Sequence, residues 1–385
     1  MTKIAKIIIG IIVIVVIAII GLKFYKKSGG QVESSKEPIR IGFIAPLTGD
    51  VAAYGGDEKK AAELAVEEIN NGGGINGRKL EIIYEDGKCN GKDAVTSAQK
   101  LIDVDKVKVI LGGACSGETL AIAPVAEQNK VIVFSAFASS PDITNAGDYI
   151  FRNAPSDTDI AKGYANFIVN KSGYKKIAII SENTDYTGGV RKVFNDAVKN
   201  LGGTIVADEV YKQGERDFRA NLLKIKSSGA EAIFINPQSG TTGSLIVKQI
   251  GALAMKQPMF SVFFFAGKDV RDAAGAAANG LVFFDVVGLT GEKGKAFTEK
   301  FKSRFEKIVG NDYDIGARYD SVFITANALR KCGEDTSCIK DYFYNMDWYD
   351  GVIGKYKFDS NGDMTGIEPL TPKIIKNGEV ELYGK

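Results

Sequence analysis

The sequence predicts an α/β fold: two doubly wound parallel-sheet domains behind one N-terminal transmembrane helix. Three observations carry this. Strand-length apolar runs alternate with helix-length segments from Ile39 onward. The alternation breaks at Phe151–Asp159 and then restarts in the same form. The first 27 residues form a separate apolar block. With 385 residues, 45% hydrophobic and 25% charged, the chain has ordinary globular composition and room for two domains.

Ile7 to Leu22 is an apolar run of 16 residues flanked by Lys3, Lys6, Lys23, Lys26 and Lys27. Taken from Ile4 to Tyr25 it is 22 residues, which as a helix spans roughly 33 Å, enough for a bilayer core. Lysines at its ends can snorkel to the interface. A cleaved signal peptide would show a small-x-small motif after the run, and none follows. An uncleaved signal anchor is therefore expected over 1–27, with lysines on both sides giving no orientation. Residues 28–38 (SGGQVESSKEP) are small and polar and read as a tether.

After the tether, strand IRIGFIAP leads to helix DEKKAAELAVEEINN, and strand LEIIYED to helix KDAVTSAQKLID. Strand KVKVILG leads to helix TLAIAPVAEQN, and strand VIVFSA ends in the loop FASSPDIT. Beyond the break come helix GYANFIVNKSG, strand KKIAIISE, helix GVRKVFNDAVKNLG and strand TIVADEVY. Helix FRANLLKIKSSG, strand AIFINP, helix GSLIVKQIGALA and strand PMFSVFF complete the repeat. Strand GLVFFDVVGL, two further helices and a hairpin-like tail, GVIGKYKFDSNGDM, end the chain. In open parallel sheets, ligands bind beyond the C-terminal ends of the strands, so the loops there are the candidate site.

Charge and composition remove several function classes. A net charge of +2 leaves no electrostatic footprint for nucleic acid. Histidine is absent, which excludes Ser-His and Cys-His catalysis within the chain, His-ligated zinc and an imidazole pH switch. The four cysteines are Cys89, Cys115, Cys332 and Cys338. An even count after a membrane segment favours two disulfides over four buried thiols, and hence a body outside the cytoplasmic membrane. Cys89 and Cys115 each follow a strand, and adjacent parallel strands would bring them to one sheet edge. Closing that loop contributes roughly 3.5 kcal/mol in the chain-entropy model, and closing Cys332–Cys338 roughly 2. A metal site on CxxxxxC lacks a further ligand set.

Two motifs dissolve on inspection. Gly72-Gly73-Gly74-Ile75-Asn76-Gly77 matches GxGxxG, but a helix precedes it and a strand follows, the reverse of a dinucleotide site. It is a helix stop. Asp359-Ser-Asn361-Gly-Asp363 begins like a calcium loop, but Met364 stands at the glycine position and Leu370 at the bidentate glutamate. It reads as a turn. Two others hold. Ser116, in ACSGET, sits where a helix begins, and a helix start offers open N–H donors to a carboxylate unless the serine only caps its own helix. Tyr54 (AAYGG) and Tyr186 (NTDYTGG) lie one per domain in strand-to-helix loops, where each could cover a ligand.

From Ile39 onward these segments resemble the branched-chain-amino-acid type of type-I periplasmic solute-binding protein of ABC transporters. The resemblance rests on the opening IRIGFIAPLTGD, on Cys115-Ser116, and on the Ser135–Pro141 segment with its Asp-Ile-Thr continuation. It implies that Ser116 holds the ligand carboxylate. It also implies that Phe137 offers a backbone carbonyl, that Ser139 offers a hydroxyl and an N–H, and that Tyr54, Tyr186 and Gln238 face the cleft. It implies a hinge of three chain crossings, near Pro155, Asp285 and Trp348. One lobe would then be 39–156 plus 285–347, the other 157–284 plus 348–385. Amino-acid binders of the family carry an acid near Phe263 to pair the ligand ammonium. Here Phe263-Phe264-Phe265 stand instead, so either Asp185, Glu182 or Asp285 replaces that acid or the ligand has no ammonium. One of these phenylalanines, Phe263 by position, is expected to line the cleft.

The expected function is capture of a small amino acid, carboxylate or amide outside the cytoplasmic membrane, for delivery to an ABC permease. No cofactor, metal, catalysis or nucleic-acid partner is expected. A ligand-sensing ectodomain working with a signalling partner is the second reading. A serine hydrolase would need a lysine base, and no serine–lysine motif stands at Ser116 or Ser139.

Overall fold

The computed structural model describes residues 37–285, 289, 291–309, 312–366 and 371–384. The membrane segment expected over 1–27 and the tether up to residue 36 lie outside the described residues. Among the described residues no helix is long and apolar enough to cross a membrane.

Five parallel strands form the first sheet: β1 (Ile39–Ala45), β2 (Leu80–Asp86), β3 (Val109–Leu111), β4 (Ile132–Ser135) and β5 (Ile150–Arg152), in the order β2-β1-β3-β4-β5. Helices α1 (Ala52–Asn71), α2 (Gly91–Gln99) and α3 (Ser116–Asn129) connect them. Successive strand side chains face opposite sides of a sheet. Ile39, Ile41 and Phe43 therefore join α1 residues Ala61, Ala65 and Ile69 in one core, while Ile44 joins Ala94, Ala98 and Ile122 of α2 and α3 in another. Burial on both faces is why these strands read as nearly continuous apolar runs.

The second sheet repeats the design. After α4 (Asp157–Asn166) come β6 (Lys176–Glu182), α5 (Asp185–Asn200), β7 (Thr204–Tyr211), α6 (Arg219–Ser227), β8 (Ala232–Asn236), α7 (Gly240–Ala252), β9 (Met259–Ser261), α8 (Lys268–Ala274) and β10 (Val282–Asp285). The parallel order is β7-β6-β8-β9-β10. Ala178, Ile180, Ile233 and Ile235 pack on α6 and α7, whereas Ile177, Ile179 and Phe234 pack on α4 and α5. In each sheet the strand order reverses beside the first strand, at β1/β3 and at β6/β8. Such switch points open a crevice at the strand tips.

The chain leaves the first sheet after Arg152 and enters the second core with α4. It returns after Asp285, because α9 (Glu292–Phe305), α10 (Asp312–Cys332) and α11 (Thr336–Tyr344) pack on the first core through Phe297, Phe301, Ile324 and Phe343. The C-terminal segment corrects the expected boundary. Residues 348–366 do not join the second lobe. Strands β11 (Tyr349–Gly351), β12 (Gly354–Phe358) and β13 (Met364–Thr365) form an antiparallel sheet of their own. Ile353, Tyr356 and Phe358 bury in the first core, where Phe358 meets Phe134, Phe151 and Phe343 edge-on or stacked. The third crossing therefore falls between Thr365 and Thr371, not near Trp348. Only β14 (Thr371–Lys376) and β15 (Glu379–Leu382) return, as an antiparallel edge on β10.

Both expected cysteine pairs are joined, Cys89–Cys115 and Cys332–Cys338, with Cα separations of 5.3 and 5.6 Å. The first core also holds a buried ion pair. Arg318 on α10 donates from Nε to Glu58 Oε2 on α1 at 2.8 Å, and its guanidinium lies 5.2 Å from the Phe43 ring centroid. Both residues are almost wholly buried. Removing one partner strands the other charge in an apolar core. Arg318→Met should cost about 3–5 kcal/mol in urea unfolding, and adding Glu58→Gln should recover much of it. A single-variant cost under about 1 kcal/mol would mean that the pair does not hold α10 on α1.

Candidate functional site

The loop after β3 must pass close to its neighbours, and its glycines allow it. A Cβ on Gly112, at φ +148°, would lie 2.3 Å from the Ile44 carbonyl oxygen, and one on Gly113 2.3 Å from Glu118 Cβ. The loop is then stapled. Glu118 folds back so that Oε2 accepts from the Cys115 amide and Oε1 from the Cys89 amide, each at 2.9 Å. One buried carboxylate thus grips both ends of the disulfide. Burial pushes its pKa up to about 7, against the pull of those amides.

This staple decides what Ser116 does. Cys115, not Ser116, occupies the helix N-cap, with Glu118 closing a capping box. Ser116 is the first helical residue, and its Oγ accepts from the Ser140 amide at 3.1 Å. Its hydroxyl joins two strand-tip loops rather than capping its own helix.

The loop after β4 is held from behind by Arg152, which is fully buried. Nη1 donates to the Ser140 carbonyl at 2.7 Å, Nη2 to Thr144 Oγ1 at 2.9 Å, and Nε to Asp363 Oδ1 at 2.6 Å. On the other lobe, Tyr186 lies in the first turn of α5 and is buried. Gln238 is fixed twice: its Oε1 accepts from Thr184 Oγ1 at 2.6 Å, and its amide donates to Glu182 Oε2 at 3.1 Å.

The two sets converge. Ser116, Phe137, Ser139, Tyr186, Gln238 and Phe263 line one small cavity of about 10 Å³ between the lobes. Phe137, Ser139 and Phe263 also line a second, of about 30 Å³, which is walled by Asp157, Tyr164 and Tyr313. Phe263 is not on a strand as expected but on a 3-10 turn just beyond β9. Its ring meets that of Phe137 edge-on with centroids 6.0 Å apart. Tyr54 is the one expected residue on neither wall. It stands behind them, 5.9 Å from the Phe137 ring and 5.6 Å from Phe264. Further contacts close the cleft: Arg216 Nη2 donates to Asp50 Oδ2 at 2.7 Å, and Ser140 Oγ to the Asp185 carbonyl at 3.3 Å.

None of the three acids considered as substitutes at Phe263 lines either cavity. Asp185 is exposed. Glu182 is engaged by Gln238, Thr242 and Tyr211, and Asp285 by Lys373 Nζ at 2.6 Å. Two other acids do line one, Asp157 and Asp314, and the sequence reading missed both. Asp157 is 3% exposed, its amide donates to the Ser139 carbonyl at 2.8 Å, and its Oδ2 has no hydrogen-bond partner among the described residues. Burial pushes its pKa up to about 7, against the Ser139 hydroxyl and Arg152. Asp314 lies on the same wall. Asp157 is the first residue of α4, straight after a chain crossing, and its burial shows only in the packed structure. Among the described residues no group of three His, Cys, Asp or Glu side chains is arranged to hold a metal.

The raised pKa has a definite sign. The folded state favours protonated Asp157, so its contribution to stability is present below pH 4 and is lost as pH rises through about 7. Glu118 and Asp320 act in the same direction, also near 7. Asp157→Asn should therefore leave ligand-free stability little changed at pH 4 and raise it by about 2–4 kcal/mol at pH 8. Denaturant unfolding at the two pH values checks this, and equal effects at both would show that Asp157 ionises freely.

A family model described as periplasmic binding protein matches residues 38–372. Among curated relatives, a Leu/Ile/Val-binding protein homologue of Brucella melitensis is 26% identical over 339 residues, covering 87% of this chain and 91% of that protein. The Leu/Ile/Val-binding protein of Escherichia coli is also 26% identical, covering 86% and 89%. Among solved structures, the branched-chain amino acid transporter substrate-binding protein LivJ of Streptococcus pneumoniae, in complex with isoleucine, superposes with TM-score 0.80 at 30% identity, covering 89% and 98%. The leucine-binding protein LivK of Thermotoga maritima gives 0.81 at 25%, covering 90% and 98%.

Proposed function

The chain belongs to the periplasmic binding protein family, and we propose that it captures a small amino acid for an ABC importer by closing its two lobes around it. The observation that carries this is the meeting of Ser116, Ser139 and Asp157 from the first lobe and hinge with Tyr186 and Gln238 from the second at shared cavities. The similar Streptococcus pneumoniae protein is a branched-chain amino acid transporter substrate-binding protein, which favours delivery to a permease over sensing. The body acts outside the cytoplasmic membrane, and the lysine-flanked run from Ile4 to Tyr25 is the proposed anchor.

In this reading the ligand carboxylate lies at the start of α3. The Ser116 hydroxyl and the open N–H groups of the helix's first turn receive it, with the helix dipole adding to the attraction. Ser139, shared by both cavities, spans the two charged ends. The ammonium lies at Asp157, which takes over the pairing lost at Phe263. An ammonium there draws the Asp157 proton off, so ligand and ionised carboxylate stabilise one another. Phe137, Phe263 and Tyr186 enclose the apolar part. Contacts from both lobes exist only when the cleft is shut, so the ligand shifts the population toward the closed form. Periplasmic binding proteins are themselves the standard example of such hinge closure.

The aromatic walls favour one alternative ligand, an apolar carboxylate or amide without an ammonium. Calorimetry separates the two. A hydrogen bond to a charged group is worth about 1.5–3 kcal/mol, so Ser116→Ala should weaken either ligand roughly 10- to 100-fold. Asp157→Asn should weaken leucine or isoleucine by a similar factor. It should leave an amine-free carboxylate unchanged or tighter. Affinity for the amino acid should also fall about tenfold per pH unit below 7, as Asp157 protonates beside Arg152, Tyr164 and Asp314. Unaltered affinity in both variants would remove these residues from the site.

A further inference from the structure

We propose that the first lobe carries a second binding site, a groove for a neutral saccharide at the end of α10 remote from the cleft. The helix starts at the cleft, with Tyr313 and Asp314 on the cavity wall, and runs 21 residues to Cys332. At 1.5 Å per residue that is about 30 Å. There Lys331, Asp341, Tyr342, Asp347, Trp348 and Tyr349 line a groove of about 570 Å³. That volume suits a small organic ligand, for which pockets run about 300–1,000 Å³.

The groove is built rather than incidental. The Cys332–Cys338 disulfide pins the turn from α10 to α11, and Asp335 caps α11 by accepting from the Ser337 and Cys338 amides. Asn345 Nδ2 donates to the Asp341 carbonyl at 2.8 Å and holds the helix end. Trp348 is the chain's sole tryptophan. It packs so closely on Gly366 that a Cβ there would lie 2.3 Å from the indole, yet 54% of the residue stays exposed. A large ring held in place and open to water on a groove wall offers an apolar face to a ligand.

The chemistry selects the ligand. The cation-accepting role of these rings is already served within the chain: Lys331 Nζ lies 5.4 Å from the Tyr342 centroid, and Lys357 Nζ 5.4 Å from that of Trp348. On the wall Lys331 offsets one of Asp341 and Asp347, and Lys357, which lies over the Trp348 ring beside the groove, offsets the other, so the groove does not select by charge. What it offers is an aromatic face beside a mixture of donors and acceptors: ammonium, carboxylate, amide and phenol. A sugar ring matches this, with an apolar C–H face for the indole and an edge of hydroxyls that both donate and accept.

The sole tryptophan reports on the groove directly. Maltose, cellobiose and chitobiose should be titrated into the intact protein under selective tryptophan excitation, with and without saturating leucine. The proposal expects a saturable emission change with at least one disaccharide, unaffected by leucine. It expects the matching calorimetric affinity to fall at least tenfold in Trp348→Ala and in Asp347→Asn, while both variants keep the wild-type melting temperature and leucine affinity. No saturable change at concentrations on the order of 10 mM would overturn it. So would full affinity in Trp348→Ala, or a response to a lysine-rich peptide with none to the sugars, which would make the groove a protein-docking surface.

Discussion

The guanidinium of Arg152 is the interaction on which the hinge and the cleft both depend. It stands on the last strand of the first sheet, immediately before the chain crosses. One nitrogen fixes the Ser140 carbonyl and so the loop that carries Ser139, while two others grip Asp363 just before the chain crosses for the last time. A buried cation needs an anion and further acceptors, and this one has both. The turn that begins like a calcium loop supplies the anion. Asp359 Oδ1 accepts from the Asn361 and Asp363 amides, and the curled segment presents Asp363 to Arg152. What looked like a metal motif serves a protein cation.

The cleft then follows from two helix starts and one buried acid. Each lobe has the same strand order, so each presents a helix N-terminus at its switch point: α3 with Ser116 and α5 with Tyr186. In the first lobe the Cys89–Cys115 disulfide and the shared Glu118 carboxylate fix that start. Asp157 brings the opposite character from the hinge. Aromatic rings from both lobes fill the space between, with Tyr54 as a backing layer. The lobes therefore touch through an exposed ion pair, Asp50–Arg216, and half-buried rings such as Phe137 and Phe263.

Much of this was legible in the chain. Alternating apolar runs and amphipathic helices mark every parallel strand, because burial on both faces demands them, and strand-tip loops mark the cleft. Ser116 and Tyr186 stand out for that reason, whereas Ser139 and Gln238 are expected only through the family resemblance. Asp157 does not stand out. It sits in a short crossing without periodicity, whereas Glu182, Asp185 and Asp285 stand at or beside strand ends, where a cleft acid is expected. The C-terminal boundary failed for a different cause. A hairpin's alternation does not say which core it enters, and only the packing of Tyr356 and Phe358 against Phe134 and Phe151 assigns it. Ser116 lies one residue inside its helix because Glu118, three residues after Cys115, closes the cap around Cys115.

The central claim is that one ligand is held by both lobes and that holding it shuts the gap. Small-angle X-ray scattering on the soluble body, with and without a ligand shown by calorimetry to saturate it, tests this most directly. The account predicts a smaller radius of gyration with ligand, with a profile that matches the closed arrangement described here. Saturation with no change in the profile would contradict it.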